Sequence, residues 1–196
     1  MKPSIARWVL FASAFWLSAC AKPSTLKSPS GARRVTTPNG MASLCSDHET
    51  TGLPAEIRFG GSFGRSALYL KFPPESRAHA STLRAFVALS PRAGAPRNDS
   101  SVTIEAWRIS SEWQPSELHS WSDKPNLAPP YASTAIGSAP AGDFRIEVTE
   151  LARFAAQHPE RDFGIALLAS GGSGHGVSFA TGIAGGAAPR LEIYER

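Results

Sequence analysis

The stretch of sequence that decides the fold class is VTIEAW, residues 102–107. Its apolar residues Val102, Ile104 and Ala106 alternate with a threonine, a glutamate and a tryptophan. A period of two places successive side chains on opposite faces of a strand. The segment therefore predicts a β-strand with one buried face.

The same alternation recurs along the chain from about residue 55 onward. Glycine, proline, serine and asparagine separate the segments, as in chains of short antiparallel strands. We therefore predict an all-β fold, an antiparallel, jelly-roll-like β-sandwich with one short helix. Besides residues 102–107, the predicted strands lie at 56–59, 67–72, 83–89, 144–148, 163–169, 176–180 and 190–194.

Two segments depart from this period. Leu151, Phe154 and Ala155 have helical spacing within residues 149–157, and Thr149 is the predicted N-cap of this helix. Residues 110–142 contain many prolines and few alternating positions. For them we predict a long ordered loop with a strand fragment near residues 133–136.

The first nineteen residues predict a secretory signal peptide. Lys2 and Arg7 precede an apolar run, Trp8 to Leu17, of about ten residues, whereas a transmembrane helix needs ~20. The motif at residues 17–20, LSAC, resembles the lipobox of bacterial lipoproteins. That resemblance implies cleavage before Cys20 and acylation of its thiol; the alternative is an ordinary signal peptide with a chance cysteine.

The predicted organisation has three parts. Residues 1–19 are the signal peptide, residues 20–40 an acylated flexible tether, and residues 41–196 one β-sandwich domain. The lipid anchor makes the membrane a partner of the protein. Residue 21 is alanine rather than the aspartate that retains enteric lipoproteins in the inner membrane, so by analogy we expect the outer membrane.

The distribution of charge argues against a nucleic-acid-binding domain. Basic residues outnumber acidic ones by 20 to 16, but six of the basic residues and none of the acids precede Val35. From Val35 onward, 14 basic residues face 16 acidic ones. A nucleic-acid-binding domain needs a basic stripe or patch. We therefore predict no nucleic-acid partner.

Cysteines and histidines give no sign of a metal site or of a disulfide framework. Only Cys20 and Cys45 occur, and Cys20 is assigned to lipid. Cys45 is either a small buried residue or a loose thiol. The five histidines are scattered, without the spacing of metal ligands. We predict neither a metal nor another cofactor.

The order of short motifs carries a resemblance to a known family. They are EIRFGG (56–61), RSALYLKF (65–72), STLRAFV (81–87), EAWRI (105–109), WSDKP (121–125), IEVTEL (146–151), GIALL (164–168), VSFA (177–180) and APRLEI (188–193). With these motifs, residues 56–195 resemble the DNRLRE domain, also described as disaggregatase-related, and its relatives among carbohydrate-binding modules. The resemblance implies a secreted or surface-bound β-sandwich. The family's opening strand is not recognisable in residues 41–55.

Two glycine-rich segments invite catalytic interpretations. Residues 60–64, GGSFG, fit the G-x-S-x-G motif, but a hydrolase elbow needs a following helix, and here a strand is predicted. Residues 171–176, GGSGHG, lack the lysine of a phosphate-binding loop. We interpret the first as a hairpin loop and the second as a turn between strands, and we predict no catalytic residue.

Basic residues on outward strand positions are the candidates for carbohydrate binding. These are Arg58, Lys71 and Arg84, which would complement uronate or sulfate groups if they lined one sheet face. Ordinary solvated strand positions are the alternative.

The tryptophans at 107, 113 and 121 are candidates for stacking on sugar rings, against the stronger alternative of burial in the core. Three functions follow, in decreasing order of support. They are binding of an acidic polysaccharide or matrix, docking onto another envelope protein, and hydrolysis.

Overall fold

A computed structural model describes the protein at residues 31–61, 64–79, 81–92, 102–136, 142–170 and 176–196. These ranges contain eleven β-strands and one α-helix, α1 (Thr149–Gln157). The strands are β1 (Ala32–Thr36), β2 (Gly40–Cys45), β3 (Glu56–Phe59), β4 (Ser66–Lys71), β5 (Thr82–Leu89), β6 (Val102–Ile109), β7 (Leu127–Ile136), β8 (Phe144–Glu147), β9 (Ile165–Ser170), β10 (Val177–Ala180) and β11 (Arg190–Glu195).

The strands form two layers. One layer is a five-stranded sheet in the order β2-β4-β9-β6-β7. The other combines a four-stranded sheet, β1-β11-β5-β8, with the pair β10-β3, and a bridge between Pro91 and Phe179 joins the two. All strand pairs are antiparallel. The predicted all-β sandwich with one short helix is confirmed.

The main core lies between the layers and follows the predicted alternation. β6 contributes Val102, Ile104 and Ala106, all fully buried. Strands of the other layer contribute facing residues such as Val87 and Ile193. Because antiparallel strands present every second side chain to one face, the apolar positions of the sequence become this core.

A second apolar cluster covers part of the outer face of the five-stranded sheet. Tyr69 of β4 is fully buried there, and its ring centroid lies 6.0 Å from that of Trp113. Trp113 belongs to residues 110–126, which carry two short 3-10 helices, Pro115–Glu117 and Trp121–Asp123. The predicted ordered loop thus acts as a lid on β2 and β4, which explains why both faces of these strands are apolar.

The strand fragment predicted near residues 133–136 is the end of a longer strand. β7 runs from Leu127 to Ile136 and pairs with β6, with a register shift beside Trp107. Pro129 and Pro130 concealed it, because proline lacks the N–H that a central strand needs. Since β7 lies at the sheet edge, it tolerates both prolines.

The fold begins at Ala32, nine residues earlier than the predicted domain, so the predicted tether over residues 20–40 is too long. β1 pairs with β11, and Arg33 and Arg34 form ion pairs with Glu192 and Glu195. A short edge strand without an apolar period gives no sequence signal. Cys20, the signal peptide and the rest of the predicted tether up to residue 30 lie outside the described residues.

The helix α1 has the predicted bounds but not the predicted cap. Val148 occupies the N-cap position, and Thr149 is the first helical residue. The Thr149 hydroxyl donates to Glu147 at 3.0 Å and accepts from the backbone N–H of Ala85 at 3.1 Å. It therefore links the helix to β5 and β8 instead of capping it. No helix in the described ranges has the length and apolarity needed to span a membrane.

The segment at residues 60–64 crosses between layers, so the predicted hairpin is wrong. β3 pairs with β10, whereas β4 pairs with β2 and β9. Gly60, Gly61 and Gly64 have φ values of 72°, 83° and 73°, a conformation that favours glycine. Ser62, and residues 171–175 of the second glycine-rich segment, lie outside the described residues.

Candidate functional site

The three predicted binding residues lie on three different sheets. Arg58 is on β3 in the two-stranded pair, Lys71 is on β4 in the five-stranded sheet, and Arg84 is on β5 in the four-stranded sheet. The expectation that they line one sheet face is therefore wrong. Their strands are neighbours in the sequence, but none of these strands pairs with another of the three.

Two of these residues are engaged by other polar groups. Arg84 forms two hydrogen bonds to the carboxylate of Glu147, one of them 3.0 Å long from Nε, and this pairing lowers the pKa of Glu147. The Arg58 Nε donates to the Ser178 hydroxyl at 3.2 Å, and its Nη2 lies 3.5 Å from Glu56. Lys71 is half-buried at the end of β4. These positions do not form a joint basic surface.

A different set of arginines meets on the outer face of the four-stranded sheet. Arg33, Arg145 and Arg190 approach the carboxylate of Glu192 to 2.6, 2.8 and 3.1 Å, and the Tyr194 hydroxyl lies 3.3 Å from it. The Glu192 side chain is fully buried. Because these residues come from β1, β8 and β11, the network fastens the edge strands to the sheet.

The charge balance at Glu192 decides its ionisation. Burial alone raises the pKa of Glu192, but the hydrogen bond from Arg145 and the charges of Arg33 and Arg190 outweigh burial and hold this pKa below its usual value. The carboxylate is therefore ionised at neutral pH. Its arginines are committed to it, so the network is a structural element and a poor candidate for ligand binding.

An exposed aromatic pair lies on the outer face of the five-stranded sheet. Trp107 of β6 and Tyr131 of β7 are cross-strand partners, and their rings stack with centroids 4.3 Å apart and planes 12° from parallel. Tyr131 is 55% exposed. The Trp107 indole N–H donates to Glu105 at 2.9 Å, and Glu105 is paired across the strands with Ser133. We call Glu105, Trp107, Tyr131 and Ser133 the aromatic platform.

An open groove adjoins the aromatic platform at Glu105. It has a volume of about 1030 Å³, and residues 121–127 and the glycine crossing before β4 form its sides. Its lining includes Trp121, Lys124, Asn126 and Arg65. The Lys124 ammonium lies 5.4 Å from the centre of the Trp121 ring. Lys124 and Arg65 form no salt bridge to any residue in the described ranges, so the groove carries two uncompensated cations beside Glu105.

The three candidate tryptophans have three different environments. Trp113 is 3% exposed and donates its indole N–H to the carbonyl of Phe163 at 2.7 Å, so it is a core residue. Trp121 packs at the edge of the second cluster and faces the groove. Trp107 stands on the open sheet face. The alternative of burial therefore holds for Trp113 but not for Trp107.

Sequence reasoning missed Tyr131, which completes the platform. The prediction placed it in a loop because Pro129 and Pro130 precede it. The alternation of exposed Tyr131, Ser133 and Ala135 with more buried neighbours was the available signal, but it is weak in small residues.

The described ranges contain no group of three or more metal-ligating side chains arranged to hold an ion. Ser62, the serine of the G-x-S-x-G motif, lies outside them, so the hydrolase hypothesis stays untested. Comparison of the chain with known protein-family models gave no match, and comparison with curated protein sequences gave none either.

Proposed function

We propose that the protein is a non-catalytic lipoprotein of the cell envelope whose β-sandwich binds acidic polysaccharide. The binding surface in this proposal is the aromatic platform with its adjoining groove. The observation that carries it is the exposed stack of Trp107 on Tyr131, since exposed aromatic rings in parallel register cost solvation without a partner and suit the apolar faces of sugar rings.

The polar groups around the stack support a sugar ligand. Glu105 and Ser133 flank the rings and offer hydrogen bonds to hydroxyl groups. Arg65 and Lys124 in the groove supply positive charge for carboxylates or sulfates. The role predicted for Arg58, Lys71 and Arg84 thus passes, in this proposal, to other basic residues that lie together.

The size of the groove favours a chain over a single sugar. Its volume of about 1030 Å³ lies at the upper end of the ~300–1,000 Å³ that small-ligand pockets occupy. The groove is also open, and the aromatic platform continues it along the sheet. We therefore propose a ligand segment of several sugar units.

Affinity electrophoresis in gels that contain alginate, polygalacturonate or neutral dextran tests this proposal. We expect retardation in an acidic glycan that salt weakens, and at least a tenfold weaker interaction for Trp107→Ala and Tyr131→Ala. Ile183→Ala, which removes another exposed apolar side chain, is the control and should bind normally. Equal mobility in every gel, or equal retardation of all three variants, contradicts the proposal.

The membrane anchor is a separate part of the proposal, supported by the lipobox-like motif ending at Cys20. The chain has one other cysteine, Cys45, which provides a matched control. In cells fed alkyne-tagged palmitate, we expect label in the wild type and in Cys45→Ser but not in Cys20→Ser. Label that persists in Cys20→Ser, or that disappears in Cys45→Ser alone, contradicts acylation at Cys20.

The edge strand β7 favours docking onto an envelope protein as a second candidate function. β7 pairs only with β6 among the described strands, and no charged residue occurs from Leu127 to Ile136. Exposed uncharged edges are suited to strand addition. Crosslinking in cells should then give one partner band that Ala135→Lys abolishes and Ser116→Lys, a charge away from the edge, preserves.

A further inference from the structure

A buried arginine lies at the end of the sandwich beside α1, on the opposite face of β6 from Trp107. Arg108 is 8% exposed. Its Nε donates to the carbonyl of Pro129 at 2.8 Å, and its guanidinium carbon lies 4.4 Å from the centre of the Phe154 ring. These contacts fix the position of the side chain but do not neutralise its charge.

The charges around Arg108 are unbalanced. A second arginine, Arg161, contacts the same Phe154 ring at 5.7 Å. Neither arginine forms a salt bridge with a residue of the described ranges. The nearby carboxylate of Asp162 lies 3.0 Å from Nε of Arg77, which it neutralises. Burial lowers the pKa of Arg108, and the charge of Arg161 lowers it further. A buried cation without a counter-charge is costly.

A small cavity adjoins these groups. Its volume is about 40 Å³, and Arg108, Arg77 and Asp162 line it together with apolar side chains that include Phe154 and Leu151. Since one water needs only ~10–15 Å³ of such space, the cavity has room for a group of a few heavy atoms but not for a sugar ring.

We propose that this cavity is an anion site for a small carboxylate of the size of formate or acetate. The planar guanidinium of Arg108 suits the two oxygens of a carboxylate. Arg161 adds charge at the entrance, and the apolar wall accommodates a methyl group. The site is independent of the aromatic platform, so its test does not depend on polysaccharide binding.

Thermal unfolding at constant ionic strength tests the site with sodium acetate as the probe and sodium gluconate as the reference salt. Gluconate carries the same carboxylate on a chain too large for the cavity. We expect acetate to raise Tm in a saturable manner relative to gluconate, because a ligand that binds only the folded state stabilises it. No difference between the two salts overturns the proposal.

Variants assign the effect to the cavity. Arg161→Gln, at an exposed position, should weaken acetate binding at least tenfold, and Arg108→Met should abolish the acetate-specific rise in Tm. Arg153→Gln, which removes an exposed arginine of the same helix, should bind acetate as the wild type does. A rise that survives in Arg161→Gln, or that Arg153→Gln removes equally, overturns the assignment even if Arg108→Met fails to fold.

Discussion

Arg33 and Glu192 join the first and last strands of the described fold. The Arg33 Nη2 lies 2.6 Å from Oε1 of Glu192, and the Arg33 side chain is 41% exposed whereas that of Glu192 is fully buried. The arginine therefore covers the carboxylate as well as pairing with it. Because Arg145 and Arg190 bind the same carboxylate, Glu192 is the common counter-charge of three cations.

Glu192→Gln should destabilise the protein strongly. The substitution keeps the shape of the side chain but leaves three arginines without their counter-charge. Removing one partner of a buried ion pair costs about 3–5 kcal/mol, and because the arginines are partly solvated we expect about 3 kcal/mol. The free energy of unfolding in urea measures the effect.

Glu150→Gln is the matched control for that substitution. Glu150 pairs with Arg153 on the surface of α1 and its side chain is 69% exposed. Exposed pairs of this kind contribute about 0.5 kcal/mol or less. Equal losses in the two variants would show that Glu192 is no more important than a surface residue.

Acid should destabilise the wild type below about pH 5. The pKa of Glu192 is lowered, as described, and the hydrogen bond from Arg84 lowers that of Glu147. A carboxylate with a lowered folded pKa adds stability above its unfolded pKa of about 4.3, and that stability disappears as the pH falls through the folded pKa. Urea unfolding between pH 7 and pH 3 should therefore show constant stability at first and then a decline.

The same titration on Glu192→Gln separates the contribution of this residue. The variant lacks the titrating group, so its decline between pH 5 and pH 3 should be shallower than that of the wild type. Parallel curves for the two proteins would mean that other carboxylates account for the acid sensitivity.

Trp113→Ala and Trp107→Ala should differ in their effects on stability. Trp113 is buried against Tyr69 and holds the lid segment through its hydrogen bond to Phe163, so its loss should cost about 3–5 kcal/mol. Trp107 stands on an open sheet face and loses mainly its stack on Tyr131, worth about 0.5–1.5 kcal/mol. Comparable losses would contradict the assignment of Trp107 to a surface platform.

Tyr69→Phe should leave stability unchanged or raise it by about 1 kcal/mol. The Tyr69 hydroxyl is buried without a hydrogen-bond partner in the described ranges, and burial raises the pKa of this group. Deleting an unsatisfied buried group removes its desolvation cost. Tyr194→Phe is the contrasting control, since that hydroxyl contacts Glu192 and its loss should cost about 1 kcal/mol.

The sequence allowed the prediction of the fold class because most core strands show a clean period of two. Val102, Ile104 and Ala106 are inward on β6, and the helix at residues 149–157 has its predicted bounds. The edge strands β1 and β7 were missed, since edge strands need no continuous apolar face and tolerate proline. Local periodicity reports burial, and these strands have little of it.

The candidate site was less predictable for a topological reason. Arg58, Lys71 and Arg84 have equivalent positions along their own strands, but sequence patterns do not say which strands are neighbours. Trp107 was among the predicted aromatic candidates, whereas its partner Tyr131 depends on the pairing of β6 with β7 and on the register shift between Trp107 and Arg108. Such pairings are properties of the folded chain.

The register of β1 against β11 brings the two ends of the fold together. Ala32 lies opposite Glu195, so residue 31 and Arg196 stand about one interstrand spacing, ~5 Å, apart. A short linker would suffice to close the chain into a ring, and circularly permuted versions should be accessible for that reason. A fluorescent reporter fused after Arg196 would likewise sense the surroundings of the segment that leads into β1.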